Sequence, residues 1–408
     1  MAGQRRALII GGSMGGLFAA QLLVRRGWKV DVFERITSEL AGRGAGIVTH
    51  PELFDVLDLC GIDSGTAKVG VSVEGRRVFG QDGSIVAEQS YPQVLTSWGM
   101  LYARLKETLP EDCYHYGTNL VKVSQDGATA KAHFEDGSVI EGDLLIGADG
   151  IFSTVRAQFL PEATPNYVGY IAWRGLVDEA SLSQDTRNAL CGHFSFSLPK
   201  GEQMLGYPVA GLDESTAIGS RRFNFVWYRP AAHDCDLREI LTDIDGVEHA
   251  LSIPPHKIRP LVIDAMRHAA RELLSPQFAE VVEKTKQPFI QAIQDLETPR
   301  MVVAPNVALL GDAAFVARPH VGMGVTKAAG DALALAQALD AHDEIPVALA
   351  AFEASRFAYG AAVIRRARHL GAYMQAQILT DEEKQMAEKH RHPQAIMNET
   401  ATSAGIAA

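Results

Sequence analysis

Hydrophobic and polar positions at the start of the chain follow the order strand, turn, helix, strand. Ala7–Ile10 is a short apolar run that predicts a buried strand, and the glycines of Gly11–Gly16 predict a turn. Leu17–Arg26 is apolar on nearly every side, which predicts a buried helix. Lys29–Phe33 predicts the next strand. This order predicts a βαβ unit.

Short strands joined by tight turns dominate the pattern farther along. Asp82-Gly83 and Asp136-Gly137 each lie between alternating segments, which is typical of a hairpin. Asp143–Ala148 predicts another buried strand. Further strands are predicted over Gly169–Leu176, His193–Leu198, Met204–Val209 and Phe223–Tyr228.

Helical spacing returns in the second half of the chain. Leu237–Leu296 shows helical periodicity, whereas Val307–Leu310 predicts a buried strand followed by a helix that ends near Leu339. Another helix is predicted over Pro346–Ile378. The residues from about Glu382 onward are polar and then rich in Ala, Ser and Thr, which predicts a mobile tail.

The order of these elements predicts an α/β fold in which a Rossmann-like cofactor domain is built from separated segments. A mostly β substrate domain is inserted into it, and C-terminal helices follow. The predicted division is a cofactor domain at 1–70, 101–165 and 281–340, a substrate domain at 71–100 and 166–280, a C-terminal helix at 341–380 and a mobile tail at 381–408.

Charge and composition exclude several classes of protein. Over 408 residues, 38 Lys and Arg against 49 Asp and Glu give a net charge of −11 without a basic stripe, so we expect no nucleic-acid partner. The 4 cysteines are scattered, so we expect no metal site and a reducing, cytoplasmic setting. Ala7–Val24 is uncharged but contains glycines, and we expect no stretch that crosses a membrane.

The N-terminal turn carries the first candidate chemistry. Gly11-Gly12-Ser13-Met14-Gly15-Gly16 has the small residues that let a backbone approach a pyrophosphate, whose charge the following helix N-terminus stabilises. Glu34, at the end of the second strand, can accept hydrogen bonds from a ribose diol. Ser13 replaces the usual middle glycine and is also small. These residues predict a dinucleotide site; the alternative is a tight turn without a ligand.

Two further motifs follow in the order that a known family shows. They are Gly147-Ala148-Asp149-Gly150, followed by Ser153 and Arg156, and Gly311-Asp312-Ala313-Ala314, followed by Pro319, Gly322 and Gly324. With the N-terminal turn, they resemble the FAD-dependent aromatic-ring hydroxylases, single-component flavoprotein monooxygenases of the para-hydroxybenzoate hydroxylase type. The resemblance covers about Ala7 to Leu339 and identifies the cofactor domain as an FAD-binding domain.

The resemblance implies a non-covalent FAD whose ADP half lies at the first motif. It also implies that the second motif helps to bind FAD and the reduced nicotinamide, and that Asp312 contacts the ribityl chain. The cofactor-binding residues predicted in this way are Gly11, Gly12, Ser13, Met14, Gly15, Gly16, Glu34, Arg35, Arg43, Asp149, Asp312, Gly322 and Gly324.

Three positions depart from the family pattern. Phe315 follows the third motif where His is usual, Thr326 stands where Asn is frequent, and Trp98 replaces an Arg. The flavin contacts at these positions are therefore left open.

Short segments resemble the branch of the family that acts on hydroxylated pyridines. They are Arg318-Pro319-His320, Gly44–His50, Tyr207-Pro208 and Asn224–Arg229. His320 and His50 are expected beside the flavin, where a His can remove a proton from the ring hydroxyl because it titrates near neutral pH. Tyr207 is the third predicted catalytic residue, although packing is the more ordinary role for it and for Tyr228.

The implied activity is the hydroxylation of an electron-rich hydroxylated aromatic ring, with O₂ and NADH or NADPH, through a flavin C4a-hydroperoxide. NADH is the favoured reductant and a hydroxypyridine the favoured ring. The alternatives are a phenolic substrate such as a salicylate-like compound, a non-oxygenating flavin oxidoreductase of the same fold, or a flavin-binding regulator or storage protein. The expected partners are the small aromatic ring and O₂, and a homodimer is left open.

Overall fold

The computed structural model describes residues 4–38, 46–65, 69–127, 129–374 and 380–406, without the side chain of Asp234. The α-helices are α1 (Met14–Val24), α2 (Pro51–Leu59), α3 (Trp98–Glu107), α4 (Thr154–Phe159), α5 (Gln184–Leu190), α6 (Arg238–Leu241), α7 (Pro260–Leu273), α8 (Pro276–Lys284), α9 (Gly324–Ala341), α10 (Ile345–Gly371), α11 (Asp381–Lys389) and α12 (Pro393–Glu399). The first nine strands are β1 (Arg6–Ile10), β2 (Lys29–Glu34), β3 (Gly46–Val48), β4 (Val71–Phe79), β5 (Ile85–Ser97), β6 (Tyr114–Tyr116), β7 (Leu120–Asp126), β8 (Thr129–Phe134) and β9 (Val139–Gly142). The remaining strands are β10 (Leu144–Gly147), β11 (Asn166–Asp178), β12 (His193–Ser197), β13 (Gln203–Val209), β14 (Arg222–Pro230), β15 (Phe289–Glu297), β16 (Val302–Ala304), β17 (Val307–Leu309) and β18 (Phe315–Val316).

A six-stranded sheet forms the predicted Rossmann-like core, in the order β16-β17-β10-β1-β2-β6. Strand β1 lies between β2 and β10 in parallel register, with Ile9 opposite both Val32 and Ile146. These strands are apolar on both faces because helix α1 covers one face of the sheet and the three-stranded sheet β7-β8-β9 covers the other. The carboxyl ends of β1, β10 and β17 therefore meet at one edge, which carries the three motifs. The predicted α/β fold class is confirmed.

A nine-stranded sheet, in the order β18-β15-β11-β14-β13-β12-β4-β5-β3, forms the substrate domain. Alternation along its strands separates two faces. On one face, Val226 and Tyr228 of β14 belong to a cluster of buried residues that continues into the C-terminal segment. On the other, Phe225 and Trp227 pack against helices α7 and α8. The sheet thus turns one face toward the cofactor domain and buries the other under helices.

The hairpins predicted at Asp82-Gly83 and Asp136-Gly137 are confirmed, since they join β4 to β5 and β8 to β9. The helical structure predicted over Leu237–Leu296 is wrong at the end of this range, because β15 pairs with β11 in the nine-stranded sheet. Both faces of β15 are largely covered, so its apolar residues do not alternate. The cofactor domain predicted to resume at 281 therefore resumes after this strand.

The C-terminal residues differ most from their prediction. Residues 381–408 were expected to form a mobile tail, yet α11 and α12 form there, and Met397 and Ala401 are buried against the nine-stranded sheet. Thr380 begins α11 with a capping box that includes Glu383. Because α11 is polar, the sequence contains no sign that the residues after it make apolar contacts.

Helix α10 corrects the expectation that no stretch is long and apolar enough to cross a membrane. By length and composition alone Ile345–Gly371 passes that test, with 33% of its most apolar window buried. Its residues Leu349, Phe352 and Ile364 belong to the core of the cofactor domain. A core helix satisfies the same criterion, so the test is weak for a single helix.

Candidate active site

The first motif forms the turn between β1 and α1 at the carboxyl edge of the six-stranded sheet. Gly11 has a left-handed φ of +103°, and a Cβ there would lie 2.3 Å from the carbonyl oxygen of Ala148. A Cβ at Gly16 would lie 1.9 Å from the carbonyl oxygen of Gly11. Ser13 is at the N-cap of α1 with no capping bond from its hydroxyl, and Met14 is buried. The turn can follow this path only with glycine at these two places.

Glu34 ends β2 beside this turn. Its Oε2 accepts a hydrogen bond from the N–H of Gly12 at 3.0 Å, and its Oε1 accepts one from the N–H of Ile36 at 2.9 Å. Each carboxylate oxygen can accept a further bond. Glu34 and the exposed Arg35 line a cavity of about 260 Å³ together with Gly11, Ser13 and Asp149. This cavity lies where a dinucleotide fold holds the adenosine end of its ligand.

The second motif uses its acidic side chain for its own helix. Asp149 Oδ1 accepts a bond from the Ser153 hydroxyl at 2.6 Å, and Oδ2 accepts one from the N–H of Val155 at 3.1 Å. Burial raises the pKa of Asp149, and these bonds oppose the rise. The carboxylate therefore fixes the start of α4, and Asp149 and Gly150 line the cavity beside Glu34.

The third motif places Asp312 next to the start of α9. Asp312 lies deep in the molecule, which raises its pKa, while the charge of Lys327 opposes the rise. Its side chain is nevertheless exposed, because it opens into a second cavity of about 400 Å³. Gly324, the first residue of α9, lines the same cavity, and a Cβ there would meet no atom within 4 Å. A carboxylate that can accept hydrogen bonds from hydroxyl groups thus lies beside a helix N-terminus with open space before it.

A clamp of charged residues holds this third motif in place. Asp331 Oδ2 accepts a bond from the N–H of Gly311 at 3.1 Å, and Lys327 Nζ donates to the carbonyl oxygen of Gly311 at 2.8 Å. Arg356 Nε donates to Asp331 Oδ1 at 2.9 Å. Lys327 and Asp331 are fully buried. Both main-chain polar groups of Gly311, its N–H and its carbonyl oxygen, therefore have a charged partner, which fixes the turn next to Asp312.

The larger cavity extends from Asp312 to the nine-stranded sheet, and the polar side chains of its wall include two tyrosines and an arginine. Tyr207, Tyr228 and Arg174 come from the adjacent strands β13, β14 and β11. Burial raises the pKa of both tyrosines, so both stay protonated, and the Arg174 charge opposes the rise. Neither hydroxyl has a hydrogen-bond partner among the described residues, and Arg174 has no carboxylate partner there. A cation and two hydroxyl groups are therefore free to bind a ligand.

Gln291 orients the Arg174 guanidinium within this wall. Arg174 Nη1 donates to Gln291 Oε1 at 2.8 Å, whereas its buried Nε has no partner in the described part of the chain. Phe194 stacks on Tyr207 with a centroid distance of 4.9 Å and an interplanar angle of 27°. The polar groups thus lie in a largely aromatic surrounding, in which an unpaired charge attracts an opposite charge more strongly than it would in water.

His320 lines the cavity, but both of its ring nitrogens already have partners. Nδ1 lies 3.1 Å from Gln203 Oε1, an acceptor, so it carries the proton. Nε2 then accepts a bond from the Tyr170 hydroxyl at 2.9 Å. Burial and the charge of Arg318 hold the pKa of His320 well below its usual range. The neutral ring packs against Tyr228, with the two centroids 3.9 Å apart.

A buried ion pair continues this network behind His320. Arg318 Nε donates to Asp295 Oδ2 at 2.8 Å, and the Arg318 charge acts on the Tyr170 hydroxyl. Burial raises the pKa of Tyr170 to about 12, so this hydroxyl keeps its proton and can donate it to His320. The side chain of His320 is thus oriented from strand β11 and strand β13 together.

His50 lies at the N-cap of α2, 3% exposed and outside the residues that line the larger cavity. Its Nδ1 pairs with the Thr326 hydroxyl at 2.9 Å. Burial lowers the pKa of His50 to about 4. Thr326, which departs from the family pattern, thus forms a hydrogen bond with His50.

Of the other predicted positions, Arg43 lies outside the described residues. Gly322 adopts a left-handed φ of +65° and lines the larger cavity. Phe315 is buried under Phe357, with centroids 5.6 Å apart, and Trp98 stacks on Tyr102 at 4.8 Å. Neither of these two side chains belongs to the described lining of the larger cavity.

Sequence reasoning missed several residues of the site: Arg174, Tyr170, Gln203, Lys327, Thr400 and Ala401. A signal existed for Arg174, because the predicted strand Gly169–Leu176 alternates and places it on the same face as Tyr170 and Ala172. A charged residue on a buried face is a candidate for binding. Nothing in the sequence indicated that Ala401 would reach the cavity.

The described residues fit FAD. The turn at Gly11 and Gly16 has no room for side chains, Glu34 stands beside it, and Asp312 points into open space before α9. An ADP moiety needs the first two features, and a polyol chain joined to an isoalloxazine ring needs the third. These features lie at one edge of one sheet, and the larger cavity continues from there to the substrate domain.

The fold and this site define a flavoprotein, and comparison with known proteins agrees. The FAD binding domain family matches residues 4–196, and the FAD binding domain-like family matches residues 167–295. The chain belongs to the FAD-dependent aromatic monooxygenases. It is 32% identical over 382 residues to 2,6-dihydroxypyridine 3-monooxygenase of Paenarthrobacter nicotinovorans, covering 91% of each protein.

Two further comparisons support this family. The chain is 29% identical over 361 residues to aurachin C monooxygenase/isomerase of Stigmatella aurantiaca, covering 86% of this chain and 84% of that protein. The solved structure of 2,6-dihydroxypyridine-3-hydroxylase from Arthrobacter nicotinovorans matches with a TM-score of 0.85 and 30% identity, over 91% of this chain and 93% of that one. The predicted family, enzyme class and FAD cofactor are confirmed.

Proposed function

We propose that this enzyme hydroxylates a hydroxypyridine, with NADH as the reductant and a non-covalently held FAD. The observation that carries an ionised hydroxylated ring is the unpaired Arg174 beside the free hydroxyls of Tyr207 and Tyr228, and the choice of a pyridine over a phenol rests on the similarity to the 2,6-dihydroxypyridine enzyme. A hydroxypyridine that has lost its hydroxyl proton is a planar anion with an acceptor oxygen. Such a ligand pairs with the cation and both donors, while its faces contact aromatic side chains.

The relatives support the same ring. The 2,6-dihydroxypyridine enzyme is 32% identical to this chain over most of both proteins. The predicted segments around His320, Tyr207 and Asn224 support it as well, since they lie together at the cavity or beside it: Asn224 accepts a bond from the N–H of Gly46, which lines the cavity.

The reaction converts one C–H bond of the ring into C–OH, consumes one O₂ and one NADH with a proton, and gives the hydroxylated ring, water and NAD⁺. FAD, which the Gly11 turn, Glu34 and Asp312 would hold, would supply hydride acceptance and O₂ activation when bound. Arg174 stabilises the ionised ring oxygen, which raises the electron density of the ring. Tyr207 and Tyr228 hold its orientation, and the aromatic wall excludes water.

For His320 we propose a positioning role in place of the predicted role of base. Its Nε2 lone pair already accepts a hydrogen bond from the Tyr170 hydroxyl, and its low pKa makes it a weak base. Its ring instead packs against the ring of Tyr228 and so positions that tyrosine in the cavity wall. In a His320→Ala variant, the loss of hydroxylation should be equal at every pH; a loss that shrinks at high pH would instead indicate a base.

The test of this function is a screen of hydroxypyridines and phenols for ring-stimulated NADH oxidation, with the product identified by mass. Arg174→Met should raise KM for the favoured ring about tenfold or more, as expected for a lost charge-assisted bond. It should also move the rising limb of the pH profile upward, because the bound hydroxyl then ionises at higher pH.

Arg229→Met is the matched control for Arg174→Met. Arg229 pairs with Glu202 at 3.1 Å and lines a different pocket, beside α7. Its loss should leave KM and the pH profile unchanged. Preference for a phenol without stimulation by any hydroxypyridine would contradict the proposed substrate class.

A further inference from the structure

Arg76, on strand β4, is a buried cation that lies outside the site described so far. Its side chain is 0% exposed. Burial lowers its pKa to about 10, so it is charged at neutral pH. No carboxylate among the described residues pairs with it. Its guanidinium donates instead to three main-chain carbonyl oxygens: those of Met397, of Thr400 at 2.7 Å and of Ala401 at 3.1 Å.

These three acceptors lie at the end of α12 and in the turn that follows. Helix C-termini carry partial negative charge, so their carbonyls suit a cation. If the turn moved away, Arg76 would remain buried without acceptors, which is strongly unfavourable. Arg76 is itself fixed by Tyr91, whose ring centroid lies 4.2 Å from the guanidinium carbon, and by a bond of 3.1 Å to Gln93.

The turn held by Arg76 reaches the larger cavity. Thr400 and Ala401 line it next to His320. The N–H of Ala401 donates to the carbonyl oxygen of His320 at 2.9 Å, and Ala401 has a left-handed φ of +53°. A Cβ at Gly322 would lie 2.8 Å from the Ala401 Cβ, so the segments that contain Gly322 and Ala401 are in contact. Arg76 also lies over Phe194, another lining residue, at 5.3 Å.

We propose that Met397–Ala401 forms a wall of the ring-binding end of the cavity, and that Arg76 is the positioning residue that holds this wall. The wall limits which rings fit and keeps solvent away from the flavin. The nature of the ring rests on the proposed function, whereas the position of the wall does not.

The experiment compares Arg76→Met with Arg77→Met in the full, FAD-loaded chain. Arg77 is the next residue on the same strand, and it pairs with Glu88, which is exposed. Two quantities are measured: quenching of flavin fluorescence by iodide, and KM for the ring with the H₂O₂ released per NADH. Arg76→Met should increase quenching, raise KM about tenfold and release more H₂O₂, because a displaced wall loosens the ring. Arg77→Met should change none of these.

Two further variants keep the inference testable if Arg76→Met does not fold. A chain ending at Glu399 keeps α12 but lacks the wall residues Thr400 and Ala401, and should give the same increases. Arg76→Lys retains the cation and should recover part of the wild-type KM. The proposal would be overturned if Arg76→Met and the chain ending at Glu399 had a lowered Tm but the quenching and KM of the wild type.

Failure of the proposed function gives a different result. If no ring stimulates NADH oxidation by the wild-type enzyme, the proposed function is wrong. Iodide quenching, which needs no ring, then still decides whether Arg76 and the turn form a wall: an increase in Arg76→Met and in the shortened chain supports it, and wild-type quenching in both overturns it.

Discussion

Burial sets the charge state of the side chains around the cavity. His320 and His50 are buried and kept neutral, while the hydroxyls of Tyr207 and Tyr228 keep their protons. Arg174 therefore faces the ring-binding end as a cation without a carboxylate partner among the described residues. At the level of residues, the site favours a ligand that brings its own negative charge.

His50 gives a prediction about acid stability. Its pKa is about 4 in the folded chain and 6.5 when unfolded, so between these values the unfolded chain binds more protons. Its contribution is fully present above pH 6.5 and is lost as pH falls toward 4. The difference corresponds to about 3 kcal/mol. Thermal unfolding of wild type and His50→Gln should show a gap in Tm that favours wild type at neutral pH and shrinks under acid; a constant gap would contradict this.

Individual elements position the site through their ends. Strand β17 leads into the third motif, and α9 begins beside it, so Asp312 is held by the Gly311 turn and by the buried pair Lys327 and Asp331. Asp312 opens into the cavity, whereas Asp331 faces only protein groups. Two acids near one turn therefore have separable roles.

We predict that Asp312→Ala weakens FAD binding by about tenfold or more, since charge-assisted bonds to hydroxyls contribute about 1.5–3 kcal/mol each. The free energy of unfolding of the FAD-free chain should change little. Asp331→Ala should lower that free energy by about 3–5 kcal/mol, because Lys327 is left buried without its carboxylate. Equilibrium dialysis and urea unfolding measure the two quantities. Unchanged FAD binding in Asp312→Ala would show that the third motif is misplaced.

Sequence patterns predicted elements well wherever apolar residues alternate with polar ones, form an uninterrupted run or recur at helical spacing. The βαβ unit, the hairpins and the strands of the substrate sheet follow from apolar periodicity and Asp-Gly turns. Strand β15 did not, because burial on both faces removes the alternation. The role of Ala401 could not be read either, since it depends on a buried Arg76 far away in the sequence, and Arg76-Arg77 gives no sign of which arginine is buried.

At the scale of the whole molecule, the two large sheets meet at a cavity that neither forms alone. Asp312 and Gly324 come from the cofactor domain, Arg174 and Tyr207 from the substrate domain. The glycine turn, the second motif and the third motif are far apart in sequence but lie at one edge of the six-stranded sheet. Ligand binding across separated segments favours the folded chain over the unfolded one.

FAD should therefore stabilise the protein and leave it on unfolding. The described site offers main-chain and acidic groups for non-covalent contacts with FAD, so we predict a yellow protein with one FAD per chain that passes into the filtrate after denaturation. At free FAD of about 100 times Kd, the gain is about 2.7 kcal/mol. Flavin retained by the denatured chain would contradict non-covalent binding, and an unchanged Tm with added FAD would contradict binding across the three motifs.

The most direct test of hydroxypyridine hydroxylation is a single turnover experiment under ¹⁸O₂ with 2,6-dihydroxypyridine and NADH. A monooxygenase acting on this ring gives a product that carries one ¹⁸O atom more than the substrate, with one NADH consumed for each product and the second ¹⁸O in water. An unlabelled ring, with all consumed oxygen recovered as H₂O₂, would contradict hydroxylation of this substrate.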